Sequence, residues 1–474
     1  MNMSSWTRQL KLVVVLSLVV SLLAACIGGS KSELPELPEN GAGKITVMHW
    51  SADQFMNELG NTFNVKYPEI EFQVVESSEF HDSFKPEEGE GEYDKKLAEF
   101  IKKKKIDVVM IQQMEYEKLA KAGVLHKLDT IIQDEKYPMD DFYPGIVDLL
   151  REKGGNAIYG LPSGINSMAL FYNVDLFKKH GVEAPTHKMS AQQVLDLAQR
   201  FPGGSDEKER IYGIHTEYRP VGDHMLSFGE MSNLQVIDQK AEKVVMNSEA
   251  WKELFTSYAD LMKDNKINVI DMKNQGGSYG TGFSAGKAAM VLGHTWMFEE
   301  MKYAARYGPD GKPSKPFEWN VVTVPVDPAN TDESSSVSLG EIFAITNNAV
   351  DKRAAWEFVK FTTGPEMAKI NGRSTRKLTA RKNYQKDKDG KSLEAFTMLR
   401  PAKNNYSLYS ALEKNDISYE FNQTLTTKLD EALTNVKNGK KSAEQAYNEL
   451  IPELQKALEE AKQKGTKEKA KKKS

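Results

Sequence analysis

Few residues in this chain have the types and spacing for covalent or metal chemistry. Gly276-Gly277-Ser278-Tyr279-Gly280 has the G-x-S-x-G spacing of a nucleophile elbow, where a serine sits on a sharp strand-to-helix turn. That motif needs an apolar strand in front of it. Asp271-Met272-Lys273-Asn274-Gln275 is polar, so the segment reads as a loop. Asp387-Lys388-Asp389-Gly390 has the look of a calcium loop. With Gly390 at the sixth position, the first would be Gln385 and the twelfth Phe396, and neither suits a calcium ligand. The eight histidines show no H-E-x-x-H or comparable metal spacing. Cys26 is the single cysteine, so no disulfide can form within the chain. These residues predict no enzyme, no cofactor and no metal.

Cys26 has a different chemistry available. It follows a cationic start (Arg8, Lys11) and an apolar run from Leu12 to Ala25, broken only by Ser17 and Ser21. Such a segment reads as a secretion signal, and it is short of the ~20 apolar residues a spanning helix needs. Small residues and then cysteine, Leu23-Ala24-Ala25-Cys26, resemble a bacterial lipobox. There the thiol is alkylated with diacylglycerol and becomes the new N-terminus. The reading is a signal over 1–25 and a lipid anchor on the outer face of a cell membrane, of the Gram-positive type.

Composition narrows the partners. The chain has 63 basic and 67 acidic residues, yet 461–474 alone holds seven Lys and one Glu. The body is therefore distinctly acidic, which argues against nucleic acid as a partner. The Lys-rich end reads as a solvated, disordered tail, with an anionic membrane or wall polymer as the alternative.

The elements that must position a site are legible from periodicity. Ile27 to Gly43, rich in Gly, Ser, Pro and Glu, reads as a tether. Ile45–Trp50 reads as a strand, and Phe55, Leu59, Phe63 and Tyr67 recur at helical spacing until Pro68. Ile70–Val75 alternates as a strand. An acidic loop over about 76–92 leads to a helix over Tyr93–Lys105 and a third strand, Ile106–Ile111. The order β-α-β-α-β predicts a parallel, doubly wound sheet. A second set follows: strands near 167–172, 288–292, 319–324 and 340–346, and helices near 190–201, 354–361 and 443–463. Ser190 is the expected N-cap of its helix. Pro452 is expected to kink or break the last one.

Several segments, taken in order, resemble the bacterial extracellular solute-binding proteins that serve carbohydrate ABC importers, the group of maltose-binding protein. They are Lys44–Trp50 with Phe63–Ile70; Asp107-Val108-Val109 with Leu119–Leu128; Ile158–Pro162 with Leu170–Phe177, Gly181 and Pro185; Phe283–Met290; and Trp356–Phe361. The resemblance implies a two-lobe, type II periplasmic-binding-protein-like α/β fold with a ligand cleft between lobes. It implies an N-terminal lobe of 44–163 and 324–371 and a C-terminal lobe of 168–320 and 376–460. Chain crossings are expected near 163–168, 320–323 and 371–376, with Gly164 and Gly372 absorbing the dihedral changes of closure. The loop 77–92 and the polar region 379–404 depart from the pattern.

Sugars present hydroxyl rims and apolar C–H faces, so their sites combine aromatic platforms with carboxylates, amides or Arg. The resemblance implies as ligand-binding residues Trp50 and Asp53 after the first strand, Gln112 and Gln113 after the third, Tyr218, Arg219, Trp296, Glu341 and Arg373. It implies a monomer that captures a carbohydrate and docks on permease subunits. Rival expectations are the same fold with a polyamine, peptide or metal chelate, a secreted hydrolase, or a structural surface lipoprotein.

Overall fold

The computed structural model describes residues 33–84, 90–206, 209–216, 220–269, 282–307, 313, 315–374, 377–388, 390–403 and 407–473. Cys26, Tyr218, Arg219 and the Gly276–Gly280 segment lie outside them, as does Asp389 of the calcium-loop candidate. The strands are β1 (Gly43–His49), β2 (Ile70–Glu76), β3 (Val108–Ile111), β4 (Gly160–Pro162) and β5 (Gly164–Asn166). Next come β6 (Ala169–Asn173), β7 (Tyr212–His215), β8 (Ile267–Asn268), β9 (Ala288–Gly293) and β10 (Trp319–Thr323). The set closes with β11 (Glu333–Ser334), β12 (Ser338–Leu339), β13 (Ile342–Ile345), β14 (Leu378–Thr379) and β15 (Arg400–Pro401).

The chain forms two compact units. The first comprises 1–140, 150–161 and 342–364; the second comprises 141–149, 162–341 and 365–474. Residues 324–341 and 365–371 therefore group with the second unit, not with 44–163 as expected. The expected crossing at 320–323 falls inside β10, which is paired with β6 along its whole length.

The first unit carries a sheet of order β2-β1-β3-β13-β4. β1 runs parallel to β2 and β3, as the β-α-β-α-β order predicts. The sheet is nevertheless mixed, because β13 enters antiparallel to β3. The helical spacing of Phe55, Leu59 and Phe63 is the buried face of consecutive helical segments, Ala52–Phe55, Met56–Gly60 and Asn61–Lys66. Phe55, Phe63, Phe72 and Phe358 form one aromatic cluster of edge-to-face and tilted contacts, at centroid distances of 4.9 to 5.7 Å. The tether is shorter than expected. Leu34 is buried, and the Glu33 N–H donates to Asp134 Oδ2 at 3.1 Å.

The second unit carries a sheet of order β10-β6-β9-β7-β8. β7 is parallel to β8 and β9, whereas β6 runs antiparallel to β9 and β10. Helices Val221–Met231, Glu249–Lys263, Glu420–Lys437 and Ala443–Lys473 share one apolar core with it. Ser190 caps Ala191–Gln199 as expected, with its Oγ accepting from Gln193 N–H at 3.2 Å. Pro452 does not break the last helix, because Tyr447, Leu450, Leu454 and Leu458 are buried on both sides of it. The helix also continues past Ala461, where the disordered tail was expected to begin.

Gly164 and Gly372 have a role other than dihedral freedom. Neither has a positive φ. A Cβ on Gly164 would strike the Leu378 carbonyl across the β12-β5-β14 sheet, and one on Gly372 would strike the Tyr384 carbonyl. Both are close-approach positions. The polar region 379–404 is pinned by Arg381, which is fully buried, ion-paired with Asp141 and placed over the Phe142 ring at 4.3 Å.

Candidate functional site

In the first unit the candidate residues collect at one sheet edge. β1 and β3 are parallel neighbours in a register that pairs Met48 with Val109. Their carboxyl ends therefore release two loops side by side. From β1 come Trp50, 67 % exposed, and Ser51, whose Oγ accepts from Gln54 N–H at 3.4 Å and caps the turn bearing exposed Asp53. From β3 come Gln112 and Gln113. Gln112 caps the helix Gln113–Lys121, its N–H donating to Glu115 Oε2 at 2.9 Å. The first residue of β13, Ile342, is paired with Ile111, so Glu341 directly precedes a strand that starts at the same edge. Glu341 itself groups with the second unit, where its carbonyl accepts from Ser163 N–H at 3.0 Å.

In the second unit a matching edge is built from the carboxyl ends of β7, β9 and β10 and the amino end of β6. His215 is level with Val291, Gly293 with Ala169, and Thr323 with Ala169 on its other side. Past Gly293, the His294 ring contacts the Ser167 carbonyl through Nδ1 at 3.0 Å. Trp296 then stands at the N-cap of helix Met297–Arg306 with a half-buried ring. Phe298 in that helix packs edge-on against Trp319 at 5.1 Å and against Phe171 at 5.8 Å, which anchors the turn below Trp296. Residues 217–219, which include Tyr218 and Arg219, follow Thr216 at the end of β7.

Two groups at this edge have displaced titrations. Burial lowers His215 to about 4, and since the Asn268 carbonyl at 3.2 Å can only accept, Nδ1 carries the proton. Burial also raises Glu300, one helical turn after Trp296, against the opposing effect of a hydrogen bond from Ser284 Oγ at 2.9 Å.

Arg373 stands apart from both sets. It lies exposed in the turn after helix Pro365–Asn371, and among the described residues no contact ties its side chain to either edge. The residues that sequence reasoning missed are Ser51, Met114 and His294. Met114 is an exposed apolar side chain in the first turn after β3. Each lies within three residues of the carboxyl end of a strand, which is the signal that could have found them. A cavity of about 260 Å³ in the second unit is lined by Glu230, Asn233, Asp327, Glu333 and Lys403 among others, and by none of the candidate residues. Among the described residues, no group of three or more His, Cys, Asp or Glu could hold a metal ion. No helix among them is long and apolar enough to cross a membrane.

Residues 50–369 match the family described as bacterial extracellular solute-binding protein. The chain belongs to that family. Among solved structures it is similar to a sugar transporter from Rhizobium etli in an open conformation, at 19 % identity and TM-score 0.60, covering 88 % of this chain and 99 % of that one. It is also similar to the sugar-binding protein MalE of Xanthomonas citri, at 16 % identity and TM-score 0.58, covering 88 % and 98 %. At these identities the likeness establishes the fold, a MalE-like α/β architecture. In sequence the chain is 25 % identical over 164 residues to YcjN of Escherichia coli strain K12, whose name describes an ABC transporter periplasmic-binding protein. That match spans 33 % of this chain and about a third (34 %) of YcjN.

Proposed function

We propose that this solute-binding protein captures a sugar or oligosaccharide outside the cell and delivers it to the permease of an ABC importer. The observation that carries the reading is the make-up of the two strand edges. One offers the exposed Trp50 ring on the same sheet edge as Asp53, Gln112 and Gln113; the other offers Trp296 in the turn after β9. An aromatic face with planar hydrogen-bonding groups around it is what a pyranose binds. The carboxyl ends of parallel strands are where open α/β sheets take ligands. The names of fold relatives point the same way: a Listeria monocytogenes binding protein of TM-score 0.53 is described in complex with cycloalternan. The protein is a carrier with no catalytic constellation invoked, and it works as a monomer held to the membrane by a lipid on Cys26.

Tryptophan fluorescence titrated with mono- and oligosaccharides, polyamines, peptides and metal chelates tests the ligand class. Saturable quenching by a glycan alone supports the reading, and a response only to another class overturns it. For the anchor, labelled palmitate is expected in the wild-type lipoprotein and absent from Cys26→Ala, which should also leave the membrane fraction. Equal labelling of both would remove the lipoprotein reading.

A further inference from the structure

The segment 33–42, just before β1, is fixed to the first unit at its far end. Leu34 is buried there, the Glu33 N–H donates to Asp134 Oδ2 at 3.1 Å, and Glu33 Oε1 lies 3.5 Å from His126 Nε2. His126 itself is set by the sheet. Its N–H donates to the Ile345 carbonyl at 2.7 Å, and Ile345 is paired with Val108, the first residue of β3. Glu33 is therefore held by the amino end of β3, and Gly43 opens the parallel strand β1. Trp50, Asp53, Gln112 and Gln113 follow the other ends of the same two strands. Between its attachments the segment faces solvent, with Pro35, Glu36, Pro38, Glu39 and Asn40 exposed. A tight turn forms its root: the Gly41 N–H donates to the Pro38 carbonyl at 2.7 Å, and the Ala42 N–H to Asn40 Oδ1 at 3.2 Å. Gly41 has a φ of 71°, and nothing within 4 Å would meet a Cβ there. The turn stands clear of its surroundings and can serve as a pivot.

We propose that residues 33–42 are a latch that sets the usable length of the membrane tether. A segment held at one end by a buried leucine and partly exposed polar contacts belongs to the least stable part of a fold, so it opens while the unit stays folded. Closed, it leaves seven residues between Cys26 and Glu33, a reach of at most about 25 Å whatever their conformation. Open, it leaves seventeen residues between Cys26 and Gly43, a reach of about 60 Å. The gain of about 35 Å exceeds the length of β1, about 23 Å over its seven residues. That is the distance the attachment must travel for the unit to turn its other strand ends toward the membrane. What the latch governs rests on the lipid-anchored reading; the latch itself does not.

A Glu-specific protease tests the latch on the unacylated Cys26→Ala chain. Cutting after Glu33 or Glu36 needs freed chain on both sides, so its rate follows the open population when opening and closing outpace cleavage. Cutting should be slow with Leu34 in place. It should be faster by about tenfold or more in Leu34→Asp, which cannot leave its charge buried. Asp134→Ala, far off in sequence, should also speed it. Both variants should melt with their parent, since the latch opens without the unit. Equal cutting in all three, or a melting midpoint that falls as cutting rises, overturns the proposal. The acylated protein tests the reach. There K44C is the single free thiol, on the exposed first turn of chain after Gly43. A dye on it should transfer energy to an acceptor lipid in phosphatidylcholine vesicles, and the transfer should drop in K44C/L34D. Unchanged transfer together with faster cutting overturns the link between latch and tether. A chain that takes up no palmitate but keeps the cutting difference removes the anchor and supports the latch.

Discussion

Trp296 and Trp50 are both read as sugar platforms, yet their surroundings differ. Trp50 is 67 % exposed on a loop, so Trp50→Ala should change stability by no more than ~0.5 kcal/mol while weakening affinity. Trp296 is half-buried at a helix N-cap, so its removal tests two outcomes at once. A platform role predicts a loss of about 1–3 kcal/mol in binding with the fold retained. A core role predicts a loss of about 3–5 kcal/mol in stability. Denaturant melts of the ligand-free variants, then titrations, separate the two; unaltered affinity in a stable variant removes that tryptophan from the site. His215 gives a pH prediction. Its folded pKa of about 4 lies below the ordinary histidine value of 6.5, so the unfolded state binds a proton that the folded state refuses between those limits. Stability should fall as pH drops from about 6.5 to 4, by about 3 kcal/mol in total, and H215N should flatten that part of the profile. The placement of the candidate residues is partly legible in the sequence because Trp50, Gln112 and Trp296 each follow an apolar run that ends in a strand. Arg373 follows a helix end, which no strand pattern marks.

Strand and helix cores are legible in the sequence where burial is one-sided or complete, because period and apolar content then coincide. Ser190 with Gln193, Phe55 with Phe63, and the run 288–293 are such cases. The antiparallel entry of β13 is not legible, since its partner Val108–Ile111 is more than 200 residues away and direction leaves no mark on a short apolar run. The path of 379–404 depends on Arg381, a charge whose burial follows from Asp141 and Phe142 far off in sequence. Pro452 shows tertiary packing overriding local propensity. An interior proline removes one helical hydrogen bond and costs about 3 kcal/mol, and here the buried residues at 447, 450, 454 and 458 offset that cost. Pro452→Ala should therefore raise stability by about 1–3 kcal/mol, read as a higher denaturant midpoint at unchanged slope. A neutral or destabilising result would mean the helix uses the proline's fixed φ, with no net strain at that turn. Gly164→Ala should do the reverse, because its methyl group meets a backbone carbonyl that cannot move aside.

At the scale of the whole molecule, two compact units with separate sheets and separate apolar cores need not unfold together. This turns ligand binding into a structural probe. A solute that binds only folded protein stabilises it by RT ln(1 + [L]/Kd), about 2.7 kcal/mol at a hundredfold excess over Kd. If the solute touches the edge after β1 and β3 and also the edge after β7 and β9, unfolding either unit forfeits the binding energy. Both calorimetric transitions should then rise with ligand and move toward one. If the solute sits on one edge only, one transition rises and the other stays where it was. Trp50→Ala and Trp296→Ala assign the effect, because each lies in a different unit and each should lessen the shift of both transitions when the solute bridges them. A shift confined to one unit, unaffected by the tryptophan of the other, would keep the family membership and assign the solute to that unit alone.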